Sequence, residues 1–426
     1  MTPERRSTSE ATHALPLAAR LLIAAAAVCV AGGLAWASLC VGVSRLFASH
    51  AQRARAPQEA ELATRLTPAD PDAHFARAWV LSNAGDPAEA RRAYERALEL
   101  RPRDHVLWLE LGKLLERVGD TEGALGALAR AAELAPHYAQ PRWQLGNALL
   151  RAGETEKAFA ELRRAAESDP ALYPNLVQTL WHGGGRDPRA LARDARPATA
   201  EQTLTVVQFL IKAGAASDGM KTLRESGAQL TPEARRSLVA DLIAAEDFAG
   251  AYEVWSEGRA GAKGTFTDGG FEGEVRTDEE GFGWRYARAA QNIQLSLDSD
   301  APREGARSLK VEYAGGSEPS AQAISQLIPV EPGARYRLTF SARTKEVVTG
   351  GPPYVQVVSA SKSGEALAAT PPFPPSMTEW QELSLEFTPP PSANAVRVAL
   401  RRQPCASSPC PAFGSVWLDA FELRRL

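Results

Sequence analysis

Few side chains in this sequence are placed for covalent or metal chemistry. All six histidines lie between His13 and His182, which excludes a Ser-His-Asp or Cys-His device, or a histidine-bound metal, built entirely within the C-terminal part. The run Gly183-Gly184-Gly185 lacks the Gly-Lys-Ser/Thr ending of a phosphate-binding loop. A carboxylate pair for glycoside hydrolysis can be recognised only from geometry. Because no catalytic motif is present, we expect a binding protein rather than an enzyme.

Two cysteines near the C-terminus could form a bond with each other. Cys405 and Cys410 are separated by Ala-Ser-Ser-Pro and lie between two predicted strands. A disulfide closing so small a loop would stabilise the fold by roughly 2 kcal/mol. No histidine lies nearby, so zinc is poorly supported. A disulfide indicates an oxidising compartment, whereas reduced thiols would leave a cytoplasmic location open.

The elements that carry these residues begin with a pattern that repeats every 34 residues. Three copies, at 71–104, 105–138 and 139–172, align without a gap. The aligned positions include Ala78, Gly112 and Gly146; Leu81, Leu115 and Leu149; Ala90, Ala124 and Ala158; and Pro102, Pro136 and Pro170. Small residues let two helices approach closely, and large apolar residues fill the space beside them. The pattern resembles the tetratricopeptide repeat, a helix-turn-helix unit, which implies an all-α solenoid.

The resemblance also implies a groove lined by the first helix of each repeat. The family's groove positions fall on Phe75, Trp79, Asn83, Leu109, Lys113, Arg117, Trp143, Asn147 and Arg151. Apolar side chains beside a basic and amide row are suited to a peptide partner with an acidic end. The set is incomplete for binding a terminal carboxylate as some family members do. The alternative is that these residues form ordinary solvated helix faces.

The helical pattern extends beyond its clear copies. Gln58 to Pro68 resembles the second half of a preceding repeat, and Leu242, Ala251 and Trp255 fall at repeat positions near the end. We therefore predict one solenoid over 52–260 that ends in a degenerate capping repeat.

The N-terminal segment predicts a membrane anchor. Residues 21–43 contain no charged residue, and a helix of this length spans a hydrocarbon core of about 30 Å. A cleavable signal peptide is the alternative, since Ala35-Trp36-Ala37 places small residues two apart. The arginines flanking the span are balanced, so they do not set its orientation. The cysteine pair favours a cytoplasmic tail at 1–20 and a single-pass helix at 21–43 in a bacterial inner membrane. The bulk of the chain would then lie in the periplasm.

After about Gly261 the composition changes to short β-type runs separated by Gly, Pro and Ser. The candidate strands are Trp284–Ala287, Ile293–Leu297, Ser308–Tyr313, Ala323–Ile328, Arg335–Lys345, Tyr354–Ser359, Trp380–Phe387, Ala395–Arg402 and Ser415–Leu423. Residues 264–426 are therefore predicted to form an all-β sandwich. The order of Gly-Gly-Phe-Glu, Gly-Trp, Ser-Leu-Lys-Val, Ile-Pro-Val-Glu-Pro-Gly and Trp-Leu-Asp-Ala-Phe resembles the jelly-roll carbohydrate-binding modules of galactose-binding-like type.

This second resemblance implies two kinds of site. In the family, the acids equivalent to Glu272 and Asp419 often hold a structural calcium, whereas hydrogen bonds to the main chain or an arginine are the alternative role. No cofactor is expected to be required, and the resemblance implies calcium in a structural role only. Sugar binding needs an exposed aromatic face beside polar groups. The candidates are Trp284, Tyr286, Tyr313, Tyr354 and Trp380, for each of which packing in the core is the alternative.

Together these features predict a membrane-anchored extracytoplasmic scaffold with a helical and a β module. The repeats would bind a protein, and the sandwich would bind a glycan or envelope polymer, an arrangement suited to bacterial polysaccharide synthesis or export. The alternative is a protein assembly platform without glycan binding. A net charge of −3 gives no field that favours nucleic acid.

Overall fold

The computed structural model describes residues 17–257, 265–273, 281–286, 292–319, 322–361 and 364–426. Most of the predicted tail, the change of composition at 261–264 and Ala287 lie outside the described residues. The chain divides into two compact units, Met1–Gly183 and Gly184–Leu426. The single solenoid predicted over 52–260 is thus divided after Gly183, because the later helices pack with the β-sandwich.

The first unit begins with α1 (Leu17–Ala54), which is longer than the predicted span. Among the described residues, it is the helix with the length and hydropathy to cross a membrane, a test that a signal sequence also passes, and its most apolar stretch is not buried. Its last turns bury Ser44, Ala48 and Ala51 against α2 (Pro57–Leu66) and α3 (Pro71–Ala84). The predicted half-repeat is therefore a complete hairpin, to which α1 contributes the first helix.

The predicted repeats form successive antiparallel helix pairs. After α3 they are α4 (Pro87–Leu100), α5 (His105–Arg117), α6 (Thr121–Leu134), α7 (Ala139–Arg151) and α8 (Thr155–Ser168), followed by a 3₁₀ turn (Pro170–Leu172) and α9 (Tyr173–Gly183). Asp86 and Asp120 cap the second helices of their hairpins by accepting a hydrogen bond from a main-chain N–H. The turns before them use Gly85 and Gly119 at positive φ, 86° and 82°.

Close helix contact explains the small residues of the repeat. A Cβ atom on Gly112 would lie 2.6 Å from Cγ of Leu128, and one on Gly146 would lie 2.6 Å from Cγ of Leu162. Both leucines are fully buried. The spacing of the pattern therefore reports a real constraint, because these two helix crossings leave no room for a side chain.

The second unit begins with five helices and ends with the sandwich. The helices are α10 (Pro188–Ala195), α11 (Ala200–Lys212), α12 (Ala216–Ser226), α13 (Pro232–Ala244) and α14 (Phe248–Ser256). Trp255 of α14 packs in one apolar cluster with Phe282, Leu327 and Ala395. The predicted terminal repeat thus covers a face of the sandwich.

The described strands form two antiparallel five-stranded sheets. They are β1 (Trp284–Tyr286), β2 (Ile293–Asp298), β3 (Ser308–Gly315), β4 (Ile324–Pro329), β5 (Tyr336–Thr349), β6 (Pro353–Ser359), β7 (Ala366–Ala369), β8 (Met377–Phe387), β9 (Ala395–Arg402) and β10 (Ala412–Arg425). The first sheet has the order β1-β4-β9-β6-β7 and the second β2-β3-β10-β5-β8. The predicted β-sandwich is confirmed.

The sandwich core lies between the two sheets. The predicted inward set on β5, which is Tyr336, Leu338, Phe340 and Ala342, is buried. The rings of Phe340 and Phe421 stack at 4.8 Å between centroids. Strand alternation therefore places the apolar residues of β5 as the sequence predicts.

Candidate functional site

The predicted groove residues differ in accessibility. Phe75, Trp79, Lys113, Trp143 and Asn147 are half-buried, and Asn83, Arg117 and Arg151 are exposed.

Leu109 is only 4% exposed and packs with Leu128 and Leu145. Its assignment to the groove is therefore wrong. The leucine fills the space between successive helices, so it presents little surface to a partner.

Arg117 and Arg151 bond to the preceding repeat, whereas Lys113 bonds within its own helix. Arg151 donates from Nε to Oε1 of Glu116, 2.8 Å away, and Lys113 pairs with Glu110 at 2.7 Å. Arg117 instead donates to the main-chain oxygen of Ser82, at 3.4 Å, and to its hydroxyl. Among the described residues, no acid neutralises Arg117.

Glu272 and Asp419, the predicted calcium ligands, hold one loop through its main chain. Oε1 of Glu272 accepts from the N–H groups of Ala306 and Arg307, at 2.8 and 3.1 Å. Oδ2 of Asp419 accepts from the N–H groups of Arg303 and Glu304, at 2.8 and 3.1 Å. This is the main-chain role left open by the sequence.

The two carboxyl groups have opposite environments. The N–H groups of the loop stabilise the charged form of exposed Glu272 and lower its pKa below the usual value. Asp419 is fully buried, and its burial raises its pKa although three main-chain N–H groups act in the other direction. Within the described ranges, no group of three His, Cys, Asp or Glu side chains could hold a metal ion. Among the described residues, Glu272 and Asp419 therefore act as main-chain hydrogen-bond acceptors, and calcium binding by them stays a prediction.

Three predicted sugar-binding aromatics belong to the core. Trp284, Tyr286 and Tyr313 are 8%, 6% and 3% exposed. Trp284 stacks on Phe271 at 5.0 Å and donates from Nε1 to the main-chain oxygen of Asp268. Their assignment to a glycan surface is wrong, because strand alternation turns all three towards the opposite sheet.

Trp380 is half-buried on β8, in the second sheet. The guanidinium of Arg343 lies over its ring, 5.1 Å from the centroid, and its Nε1 donates to the main-chain oxygen of Ala301 at 2.9 Å. Arg343 also lies over Trp417, at 4.6 Å. One face of Trp380 is thus covered by a side chain of the protein, which makes it a poor platform for a sugar.

Tyr354 is the predicted aromatic that lies on the outer face of the first sheet. It opposes Arg401 of β9, and Gln356 opposes Ala399. Nη1 of Arg401 donates to Oε1 of Gln356 at 2.9 Å, and its Nε is buried without a hydrogen-bond partner in the described structure.

Two more arginines lie on this face, Arg285 on β1 and Arg397 on β9. We call Arg285, Tyr354, Gln356, Arg397 and Arg401 the outer face. Sequence reasoning misses the arginines and the amide, because alternation in a strand marks polar residues as solvent-facing and does not show which of them converge.

The cysteine pair is bonded. Cys405 and Cys410 form a disulfide with Cα atoms 5.5 Å apart. Buried Arg402 donates to the main-chain oxygens of Ser317 and Cys410, at 2.7 and 2.9 Å. The disulfide therefore closes the hairpin on itself, and the hydrogen bonds of Arg402 fix the hairpin to the sandwich.

Two parts of the chain match known protein families. Residues 71–104 and 109–173 match two families described as tetratricopeptide repeat. Residues 263–407 match the family described as carbohydrate binding domain. The chain carries tetratricopeptide repeats and a carbohydrate-binding domain. A search of curated proteins finds no match.

Solved structures are similar to parts of the chain. "CBM4 structure and function" shares 14% identity, covers 38% of this chain and 99% of that chain, and has a TM-score of 0.29. The structure titled "Crystal structure of YrrB: a TPR protein with an unusual peptide-binding site" has 23% identity and a TM-score of 0.31, and the match covers 37% of this chain and 82% of that chain. The structure titled "MamA 41-end from Desulfovibrio magneticus RS-1" has 16% identity and a TM-score of 0.30, and the match covers 44% of this chain and 92% of that chain.

The carbohydrate-binding domain extends beyond its family match. β10 lies after residue 407 and pairs with both β3 and β5 in the second sheet. The repeats indicate protein–protein interaction, and the domain indicates carbohydrate binding. Its outer face combines a half-buried aromatic ring, Tyr354, with several hydrogen-bond donors.

Proposed function

We propose that this protein is a membrane-anchored scaffold that binds a glycan or envelope polymer through the outer face and a protein through its tetratricopeptide repeats. It acts by binding rather than by catalysis. The observation that carries the proposal is the outer face, where Tyr354 lies beside Gln356 and Arg401 on a carbohydrate-binding domain. An aromatic ring stacks on the C–H face of a sugar, while amide and guanidinium groups bind hydroxyls.

The protein partner is a peptide segment with acidic residues. Half-buried Phe75, Trp79 and Trp143 supply apolar contact, and Arg117 supplies a cation that no described acid neutralises. Exposed ion pairs such as Arg151 with Glu116 contribute little to stability, so a partner can replace them at small cost.

The location is the periplasmic side of a bacterial inner membrane. Helix α1 supplies a single apolar span, and the Cys405–Cys410 disulfide is typical of an oxidising compartment. Polysaccharide synthesis or export is the process that such an arrangement suits. Thiol alkylation of isolated membranes tests the location: bonded Cys405 and Cys410 resist alkylation until reduced, and their labelling beforehand would place them in a reducing compartment.

Polysaccharide binding by the full chain in detergent tests the glycan function. The panel contains bacterial and plant polysaccharides, and the variants are Tyr354→Ala and Tyr138→Ala. Tyr138 is a matched control because it is exposed and lies in the repeats. We expect Tyr354→Ala to lose about tenfold in affinity for a bound polysaccharide, the equivalent of one stacking contact, and Tyr138→Ala to bind normally.

Absence of binding across the panel would favour the alternative, a protein assembly platform in which the sandwich contributes stiffness. Binding of acidic peptides to the same preparation then tests the groove. Arg117→Glu should abolish it, while Arg130→Glu, at an exposed position of α6, serves as the charge-matched control. Equal binding by both variants would contradict a groove contact with Arg117.

A further inference from the structure

A cavity of about 220 Å³ lies between α13 and the outer face of the first sheet. Ala240 and Ile243 of α13 and Leu327 of β4 form apolar walls, and Arg285 and Arg397 complete the lining. Since a water molecule occupies about 30 Å³ in the liquid, the space corresponds to about seven waters, enough for one sugar ring.

The two arginines of the cavity differ from most arginines of the described chain, which form ion pairs. In the part of the chain that the structure describes, neither pairs with an acid. Burial lowers the pKa of Arg397, and the positive charge of Arg285 lowers it further. Arg397 is half-buried and Arg285 is exposed, so an anion in the cavity would offset both the desolvation of Arg397 and the repulsion between the two cations.

Sheet register explains why these arginines meet. Arg285 opposes Ser325 of β4, and Arg397 opposes Leu327 of the same strand. Because Ser325 and Leu327 are two residues apart, they lie on the same face, which places both arginines on that face, with β4 between their strands. Guanidinium groups bind planar carboxylates with two parallel hydrogen bonds.

We propose that the carbohydrate-binding domain recognises an acidic polysaccharide, and that Arg285 and Arg397 bind the carboxylate of a uronic-acid residue in this cavity. The inference rests on the proposed glycan function and adds the class of sugar. Tyr354 lies on the same face of the first sheet, because Arg397 opposes Val358 of β6, two and four residues from Gln356 and Tyr354. Four residues of a strand span about 13 Å, so we assign the contact with Tyr354 to a sugar farther along the same polysaccharide chain.

The test compares matched polymers on the full chain in detergent: oligogalacturonate against its carboxyl-reduced galactan, and alginate oligomers against their carboxyl-reduced form. We expect the acidic member of a bound pair to bind at least tenfold more tightly, with an advantage that decreases as salt rises. Arg285→Gln and Arg397→Gln should each remove tenfold or more of that advantage. Arg397→Lys retains the positive charge but not the planar guanidinium, and should retain only part of the affinity advantage for the acidic polymer. Arg424→Gln, on the exposed end of β10, should change nothing.

The outcomes separate this inference from the proposed function. Equal binding of both members of a pair, weakened by Tyr354→Ala and unaffected by Arg285→Gln, would overturn the acidic-sugar inference and retain the glycan function. If no polymer of any pair binds, and nothing else in the panel binds, the acidic-sugar inference and the glycan function are both overturned. Preference for dextran sulfate over dextran, without preference for a uronate, would replace the carboxylate by a sulfate ester and overturn the assignment. Arg285 is exposed, so its variant keeps the test valid if Arg397→Gln fails to fold.

Discussion

At the residue scale, Gly112 offers the sharpest test of helix packing. We expect Gly112→Ala to lower the free energy of unfolding, because its Cβ would lie 2.6 Å from Cγ of Leu128. Overpacking costs about 1–3 kcal/mol and opposes the gain of about 1 kcal/mol in helix propensity. Chemical denaturation measures the net change.

Gly126 is the matched control, since it lies in α6 and no atom lies within 4 Å of the position that a Cβ would take there. Gly126→Ala should stabilise by about 0.5–1 kcal/mol. Equal stabilisation by the two alanines would show that the hairpin tolerates the extra methyl group.

The carboxylate of Glu272 predicts a pH effect. Its pKa lies below the usual 4.5 in the folded state, because main-chain N–H groups of Ala306 and Arg307 stabilise its charge. The unfolded chain binds the proton at higher pH, so this contribution to stability is present above the unfolded pKa and is lost as the pH falls through the folded pKa. Glu272→Gln should therefore be less stable than the parent at about pH 7, and the difference should shrink at about pH 3.

Urea midpoints at the two pH values measure that difference. Glu422→Gln is the control, since Glu422 pairs only with exposed Arg424 among the described residues and should show a small difference at both values. A Glu272 difference that does not change with pH would contradict the role of its charge.

Sequence reasoning at this scale succeeds where close helix contact limits the size of a residue. Gly112 and Gly146 stand out in the repeat as contact positions because the aligned position holds only small residues, with Ala78 in the first copy. The roles of Trp284 and Tyr313 could not be decided, since a buried and a sugar-stacking aromatic occupy the same strand pattern. Arg285 and Arg397 come together through the order of β1, β4 and β9, which the sequence does not specify.

At the element scale, the junction between α1 and the first hairpin is the main difference from expectation. The sequence predicts a span that ends at residue 43, because charged residues begin there. The helix continues to Ala54, since the small residues Ser44, Ala48 and Ala51 lie four or three apart and pack against the next two helices. Strand β7 is also absent from the predicted strands. The segment Ala366–Ala369 lacks the β-branched residues that favour a strand.

Ala51 tests that junction. It is fully buried in a cluster with Ala60 and Val80, so we expect Ala51→Leu to destabilise the first unit by about 1–3 kcal/mol through overpacking. Ala54→Leu places the same change at the exposed end of α1 and should have little effect. Thermal unfolding of both variants in detergent compares them, and identical midpoints would mean that α1 is not packed on the hairpin.

At the scale of the whole molecule, the division after Gly183 predicts how the chain can be cut. A fragment of 184–426 retains the cluster of Trp255, Phe282, Leu327 and Ala395 and should unfold cooperatively. A fragment of 260–426 loses α14 and exposes the apolar residues beneath it. We expect the shorter fragment to have a lower melting temperature and to bind a hydrophobic dye. Equal melting temperatures would show that the helices and the sandwich fold independently.

The identity of both modules could be predicted from sequence, but the boundary between the units could not. Repeat spacing and strand alternation are local patterns, and each can be recognised within a short segment of one sequence. Trp255 and Leu327 come from distant segments and belong to one apolar cluster. The helical pattern around Trp255 is the same whether that helix packs on another repeat or on a sheet. The predicted end of the solenoid therefore follows composition rather than packing.

The unbroken course of α1 has a consequence for direction. An α-helix turns by about 100° at each residue, and the last turns of α1 are themselves the first helix of the solenoid. The number of residues between the apolar span and Ser44 therefore sets the rotation of the repeats, and of their predicted groove, about the axis of α1. One added residue would rotate the repeats relative to the span by about a quarter of a turn without changing a contact within the repeats.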